Sequence, residues 1–260
     1  MALIRKTPRH DSSLALAVEL LAASQRTFAL TGAGISTPSG IPDFRSASSG
    51  LWNNVDPLEV ASIWGFHDHP ERFYNWFRVL LARTAAAKPN GAHKALASME
   101  AAGRLVGVVT QNIDSLHQAA GSRCVCEVHG HLRTMTCLGC NAQSPADGPL
   151  ADVLAGLPPP RCPSCGELLK PDVVLFGEPP PYEVLSRAQE EALACDAMLI
   201  VGTSLEVMPA ADLPLLAKRR GAKLVLVNLT PTQLDAQMDV IVRADVVQAL
   251  NLLLAGLDIT

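Results

Sequence analysis

Four cysteines set the first chemistry that this chain could do. Cys137 and Cys140 are two residues apart, as are Cys162 and Cys165, and twenty-one residues separate the pairs. Each short spacing turns two thiolates toward one point, with Gly139 in the first turn and Gly166 just after the second. Two such knuckles supply the four sulfurs of a closed tetrahedral zinc site. A closed site has no position for water, so the metal reads as structural. Buried thiols or a redox pair are the alternative. Cys124, Cys126 and Cys195 sit in apolar surroundings and read as core thiols.

A second group of residues suits a nucleotide. The stretch ALTGAGISTPSGIPDFRS, residues 29–46, follows an apolar run with two glycines, Gly32 and Gly34. Thr37 stands where a third glycine of G-x-G-x-x-G would fall, so the dinucleotide fingerprint is incomplete. Glycine-turn amides at a helix start can still hold a pyrophosphate. Ser36 and the triplet Asp43-Phe44-Arg45 add a hydroxyl, an acid, an aromatic ring and a guanidinium. Further along, Thr110-Gln111-Asn112-Ile113-Asp114 is a polar loop after an apolar run, and His129-Gly130 closes another. A histidine there is a candidate general base, since its pKa lies near operating pH. Small polar loops recur at Gly202-Thr203-Ser204 and Asn228, and Asp245 precedes the last helical run.

The elements that must position these residues follow from periodicity. Apolar spacing predicts helices over 12–23, 57–86 and 91–102, with Pro70 at a helix start. Buried strands are predicted at 26–30, 105–109, 198–201 and 224–227, and Asp172 to Glu178 reads as a strand ending in Gly177-Glu178. Strands alternating with helices indicate a Rossmann-like parallel α/β sheet with helices on both faces. Residues 133–170 lack that rhythm and carry Pro158-Pro159-Pro160, so they read as an inserted module. We divide the chain into a Rossmann-like domain of residues 1–45, 87–132 and 171–260, and a small domain of residues 46–86 and 133–170.

Composition narrows the class. With 260 residues, 48% hydrophobic and 18% charged, the chain is globular and large enough to bury its own core. A net charge of −4 gives no reason to expect direct contact with nucleic acid. The basic cluster at Lys218, Arg219, Arg220 and Lys223 is explained by a helix end. No apolar run reaches the roughly 18 residues of a membrane span. The N-terminus lacks the apolar core of a secretory signal, so the expected location is the cytoplasm.

In this order, GAGIS with SGIPDFRS, TQNID, HG, the two Cys-x-x-Cys knuckles, VVLFGE and GTSLEV resemble the sirtuin family, the NAD-dependent protein-lysine deacylases. The resemblance runs over roughly residues 27–250. It implies that NAD is a consumed co-substrate, and that an acyl group passes from lysine to ADP-ribose as nicotinamide leaves. It assigns Gly32, Ala33, Gly34, Ser36, Asp43, Phe44, Arg45, Gln111, Asn112, Ile113, Asp114 and His129 to the nicotinamide, ribose and phosphates. Phe44 would shield the reactive carbon, and Arg45 would face phosphates. Gly202, Thr203, Ser204, Asn228 and Asp245 fall to the adenosine half. Asn112, Asp114 and His129 would be catalytic, with His129 deprotonating a ribose hydroxyl. An acyl-lysine protein or peptide would pair as a strand between Val174, Phe176, Gly177 and Glu178 on one side and Val207 on the other. The zinc would be held by Cys137, Cys140, Cys162 and Cys165.

The resemblance also bears on the acyl group. Members that remove succinyl or malonyl groups carry a Tyr-x-x-Arg pair; here Tyr74 is followed by Phe77, with Arg78 one residue further on. Pro38 departs from the family pattern and stiffens its loop. The compact length, without the long extensions of many eukaryotic members, leads us to expect a bacterial or archaeal protein, with a mitochondrial one as the alternative. Rival readings are a sirtuin-like mono-ADP-ribosyltransferase and a non-catalytic NAD-binding zinc scaffold. The filled catalytic positions stand against both.

Overall fold

The structure is a computed structural model that describes residues 8–43 and 55–259. Phe44 and Arg45 lie outside the described residues. Six strands form a parallel sheet in the order β3-β2-β1-β7-β8-β9. They are β1 (Thr27–Thr31), β2 (Val108–Thr110), β3 (Val125–Glu127), β7 (Ala197–Val201), β8 (Lys223–Val227) and β9 (Val240–Val242). This is the doubly wound order, which reverses direction beside β1 and opens a crevice at the carboxyl ends of the strands.

The central strands are apolar throughout because both sheet faces are covered. Alternation then sends Ala29, Leu199, Val225 and Val227 to one face. There they pack with Ala17 and Leu21 of α1 (Pro8–Ala23), Leu96 of α5 (Gly91–Ala101) and Leu250 of α10 (Val246–Gly256). Phe28, Leu30, Met198, Ile200, Leu224 and Leu226 point the other way, against Ala188 of α8 (Tyr182–Ala194) and Ala217 of α9 (Leu213–Arg219). The larger strand side chains, Phe28 and Met198 among them, fill the second face.

The predicted long helix over 57–86 is three helices: α2 (Pro57–Val60), α3 (Ile63–Asp68) and α4 (Pro70–Ala86). Ser62 starts α3 by accepting from Gly65 N at 3.0 Å, and Pro70 sets the first turn of α4. The break leaves Ser62 extended and bridged in parallel to Phe176: Ile63 N donates to Phe176 O and Phe176 N to Ala61 O, both at 2.9 Å.

Residues 133–170 are more regular than their sequence suggests. An antiparallel sheet of order β5-β4-β6 joins β4 (Gly130–Cys137), β5 (Gln143–Pro145) and β6 (Leu169–Val173), with α7 (Asp147–Leu154) between β5 and β6. Both outer strands carry a proline, Pro145 and Pro171. That is compatible with an edge but weakens the strand signal in sequence. The strand expected to end at Gly177-Glu178 stops at Val173, and the chain turns under Gly177 (φ +89°). A third core binds this sheet to α4, with Phe73, Tyr74 and Phe77 against Met135, Val153 and Leu169.

Candidate active site and metal centre

The candidate site collects at the carboxyl ends of β1, β2, β3, β7 and β8. Gly32 follows β1, Gln111 and Asn112 follow β2, and His129 lies two residues beyond β3. A cleft of about 270 Å³ is lined by Ala33, Ser36, Gln111, Asn112, Ile113, Asp114 and His129, and on its far wall by Val174, Phe176, Gly177, Glu178 and Val207. Residues predicted from five separate stretches of sequence therefore share one cavity. Gly202, Thr203, Ser204, Asn228 and Asp245 lie along the neighbouring strand ends outside that lining.

The glycines are fixed by contact between two loops. A Cβ on Gly34 would stand 2.8 Å from Gly202 O, and one on Gly32 2.7 Å from the Thr203 Cβ. Gly34 N donates to Gly202 O at 2.8 Å, so the turn after β1 is seated on the turn after β7. Gly202 itself has φ +60°, where a side chain is disfavoured.

Around the pocket floor a polar network orients the predicted residues. Ser36 Oγ donates to Asp114 Oδ2 at 2.6 Å, and Asn112 Nδ2 donates to Ser36 Oγ at 3.0 Å and to Gly32 O at 3.1 Å. Asp114 Oδ1 accepts from Leu116 N at 2.9 Å. Burial raises the Asp114 carboxyl above its usual range, against the hydrogen bonds from Ser36 and Leu116. Gln111 Nε2 donates to Thr203 Oγ1 at 2.9 Å, tying the β2 loop to the β7 loop.

His129 Nδ1 lies 3.0 Å from Gln111 O. A carbonyl only accepts, so Nδ1 carries the proton of the neutral ring and Nε2 keeps its lone pair. Burial lowers the imidazole's pKa, and the Gln111 hydrogen bond opposes part of that shift. The result is a histidine neutral at physiological pH with its basic nitrogen defined.

Two buried histidines carry no sequence signal of their own. His117 Nε2 is 2.9 Å from Thr31 Oγ1, and His93 Nε2 is 3.4 Å from Ser36 Oγ. Their rings meet edge to face at 5.0 Å. Burial pushes His93 down to about 4 and His117 to about 3, so both are neutral supports of the floor. Lys170 is equally silent in the sequence: its Nζ donates to Val173 O at 2.8 Å and lies 3.0 Å from Glu178 Oε2. Glu178 Oε2 in turn accepts from Leu175 N at 2.9 Å, and this clasp shapes the 173–178 wall. Neither group has a sequence periodicity that would expose it.

Other predicted residues have local roles as well. Asp245 Oδ1 caps α10, accepting from Val247 N at 2.9 Å and Gln248 N at 3.0 Å. Asn228 Nδ2 donates to Thr230 O at 2.9 Å. Arg78 faces away from the cleft: its Nε donates to Val153 O at 2.6 Å and its Nη2 reaches Asn75 Oδ1 at 3.3 Å. Tyr74 donates its hydroxyl to Leu169 O at 2.5 Å and does not line the cleft.

The four knuckle sulfurs converge. Cys137 Sγ and Cys165 Sγ are 3.4 Å apart, Cys140 Sγ and Cys162 Sγ 3.7 Å, and all four lie within 4.8 Å of one another. Tetrahedral zinc with bonds of about 2.3 Å separates its sulfurs by about 3.8 Å, so the set fits that ion. Backbone amides of Gly139 and Cys140 donate to Cys137 Sγ, the second layer that a structural thiolate site uses.

Sheet order, crevice and tetrathiolate module define a Rossmann-type nucleotide-binding protein with a structural zinc module. The Sir2 family profile matches residues 32–209. An NAD-dependent protein deacetylase of Caldivirga maquilingensis is 45% identical over 238 residues, covering 92% of this chain and 91% of its own. NAD-dependent protein deacylase 2 of Archaeoglobus fulgidus is 47% identical over 231 residues, covering 88% and 90%. A solved Sir2 complex with a deacetylated p53 peptide and 3′-O-acetyl ADP-ribose superposes with TM-score 0.90 at 38% identity, covering 95% of this chain and 99% of that one. The chain belongs to the Sir2 family. Among the described residues no helix is long and apolar enough to cross a membrane.

Proposed function

We infer that this chain is an NAD-dependent protein-lysine deacylase, acting on acyl-lysine side chains of polypeptides. The observation that carries this reading is the His129–Gln111 contact at the junction of two half-sites. His129 O accepts from Val174 N at 2.8 Å, and the Ser36, Asn112 and Asp114 network lines the same cleft. Bound NAD supplies an electrophilic ribose carbon and nicotinamide as leaving group.

The remaining chemistry belongs to the chain. Asp114 and the backbone around Ile113 suit a carboxamide, which offers one acceptor and two donors. Ser36 and Asn112 hold Asp114 in place. Amides of the Gly32–Ser36 turn suit phosphates. His129 Nε2 accepts a proton from a ribose hydroxyl, while Nδ1 stays bonded to Gln111. Gly202, Thr203, Ser204 and Asn228 are assigned to the adenosine half because they continue the crevice along β7 and β8. Asp245 is assigned there too, beside the capping role that accounts for its position. Asp43 follows that turn in sequence and is assigned to the cofactor with it. An extended peptide along Val174–Glu178, facing Val207, would be held by backbone hydrogen bonds. The separate core under α4 supports the two-domain division, and four thiols committed to a metal suit the reducing cytoplasm.

Incubation with NAD and an acetyl-lysine peptide, followed by mass analysis, tests the reading. Free nicotinamide, deacetylated peptide and O-acetyl-ADP-ribose are expected in equal amounts. ADP-ribose attached to protein, with the acetyl group retained, would contradict it.

A further inference from the structure

Trp64 is 62% exposed, although its indole is among the largest apolar groups in the chain. It is not loosely placed. A Cβ built on Gly177 would stand 2.5, 2.8 and 2.9 Å from Cη2, Cζ3 and Cζ2 of the ring, so the indole covers the space that a side chain at Gly177 would take. The backbone behind it is tied to the same wall by the Ile63–Phe176 and Phe176–Ala61 hydrogen bonds. The outer edge of the indole therefore rests on Gly177, which lines the cleft, while much of the ring meets solvent. Met208, 56% exposed, lines the same cleft, and Leu58, 58% exposed, precedes the α3 turn.

We propose that Trp64 forms a substrate subsite, which receives a bulky apolar side chain close to the acyl-lysine in the substrate polypeptide. This rests on the deacylase reading, because the occupant is the chain that lies along Val174–Glu178. Gly177 lines the cleft and turns at φ +89°, and the space its side chain would fill is held by the Trp64 ring, so a substrate side chain that passes over this turn meets the indole. The acyl-lysine itself turns into the cleft toward His129. Exposed tryptophans in a rigid seat at a binding groove are the usual anchors of recognition. Met208, exposed and apolar in the lining of the same cleft, favours Leu, Met or Phe as the occupant.

The test is a set of acetyl-lysine peptides in which each position within two residues of the lysine is in turn Gly, Leu, Phe, Arg or Glu. For the wild-type protein, kcat/KM should favour Leu or Phe over Gly at one position by roughly five- to ten-fold. In Trp64→Ala that ratio should fall toward one, and Trp64→Phe should keep part of it. The ratio is internal to each variant, so any loss of folded protein cancels. An unchanged ratio in Trp64→Ala, no flanking preference in the wild type, or a preference for Arg would each overturn the subsite while leaving the deacylase reading intact. No turnover of any peptide by the wild type would overturn that reading and the subsite with it.

Discussion

The proton of the neutral His129 ring is assigned by Gln111, whose carbonyl oxygen lies 3.0 Å from Nδ1. Nε2 is left as the base. His129→Ala should therefore reduce deacylation by about 10²–10⁴-fold while NAD affinity stays nearly unchanged. Steady-state rates and NAD titration of the variant check this. Turnover near the wild-type level would assign the base elsewhere.

The same histidine sets a pH limit. Burial lowers its pKa from the ordinary 6.5, and a general base acts only when unprotonated. Activity should be present above the folded pKa and fall as pH drops through it. The acidic limb of log kcat/KM against pH should thus have its midpoint below 6.5. A midpoint near 7 or above would contradict this burial effect.

Stability should also depend on pH, through His93 and His117. Their folded pKa values, about 4 and about 3, lie below the 6.5 expected when unfolded. Between those limits the unfolded chain binds more protons, so stability is full above about 6.5 and declines as pH falls. Each histidine contributes a slope of up to about 1.4 kcal/mol per pH unit in that window. Urea unfolding at pH 7 and pH 5 should show the loss, reduced in His117→Gln. Equal stability at both pH values would mean that these rings are charged in the fold.

Removing metal should unfold the small module before the sheet. One zinc per chain is expected, and Cys137→Ala or Cys162→Ala should lower stability and solubility, because ligand binding and folding of such a module are one process. Metal analysis of the purified protein decides it. Well-folded, active protein without zinc would contradict the assignment.

Lys170 should act on peptide binding. Its Nζ joins Val173 O and Glu178 Oε2, so Lys170→Met releases the wall on which the substrate strand would lie. KM for peptide should rise roughly tenfold, the scale of one lost charge-assisted hydrogen bond, with KM for NAD little changed. Lys170→Arg should recover much of the loss. Equal effects on both substrates would indicate general destabilisation.

What was legible in the sequence follows from the range of the signal. Strand–loop units such as Leu30-Thr31-Gly32 and Val109-Thr110-Gln111 carry their period and their chemistry in consecutive residues, so fold and pocket floor were readable. The Cys137–Cys165 quartet was readable because metal geometry constrains spacing. The sheet of β4, β5 and β6 was not, since Pro145 and Pro171 mask its edge strands. The break at Ala61–Ile63 was hidden for another reason: Phe176, which it pairs with, is more than a hundred residues away. His93 and Lys170 likewise act through partners that only the fold brings near.

On α4, Phe73, Trp76, Phe77 and Leu80 fall at helical spacing and line the cleft together. Among the described residues no lysine or arginine joins that lining. Tyr74, which the acidic-acyl pattern would require, spends its hydroxyl on Leu169 O inside the core. Arg78 is held by Val153 O on the far side of the helix, and turning it inward would break that 2.6 Å bond. An acyl carboxylate beside Phe77 would be desolvated without a partner, at a cost of several kcal/mol, whereas an aliphatic chain incurs none. Acetyl and longer aliphatic peptides should therefore be turned over at least about tenfold faster than a matched succinyl peptide. Phe77→Arg should narrow the gap by restoring a donor. A succinyl peptide processed fastest, with Arg78→Met removing that preference, would show that Arg78 leaves Val153 and enters the cleft when substrate binds.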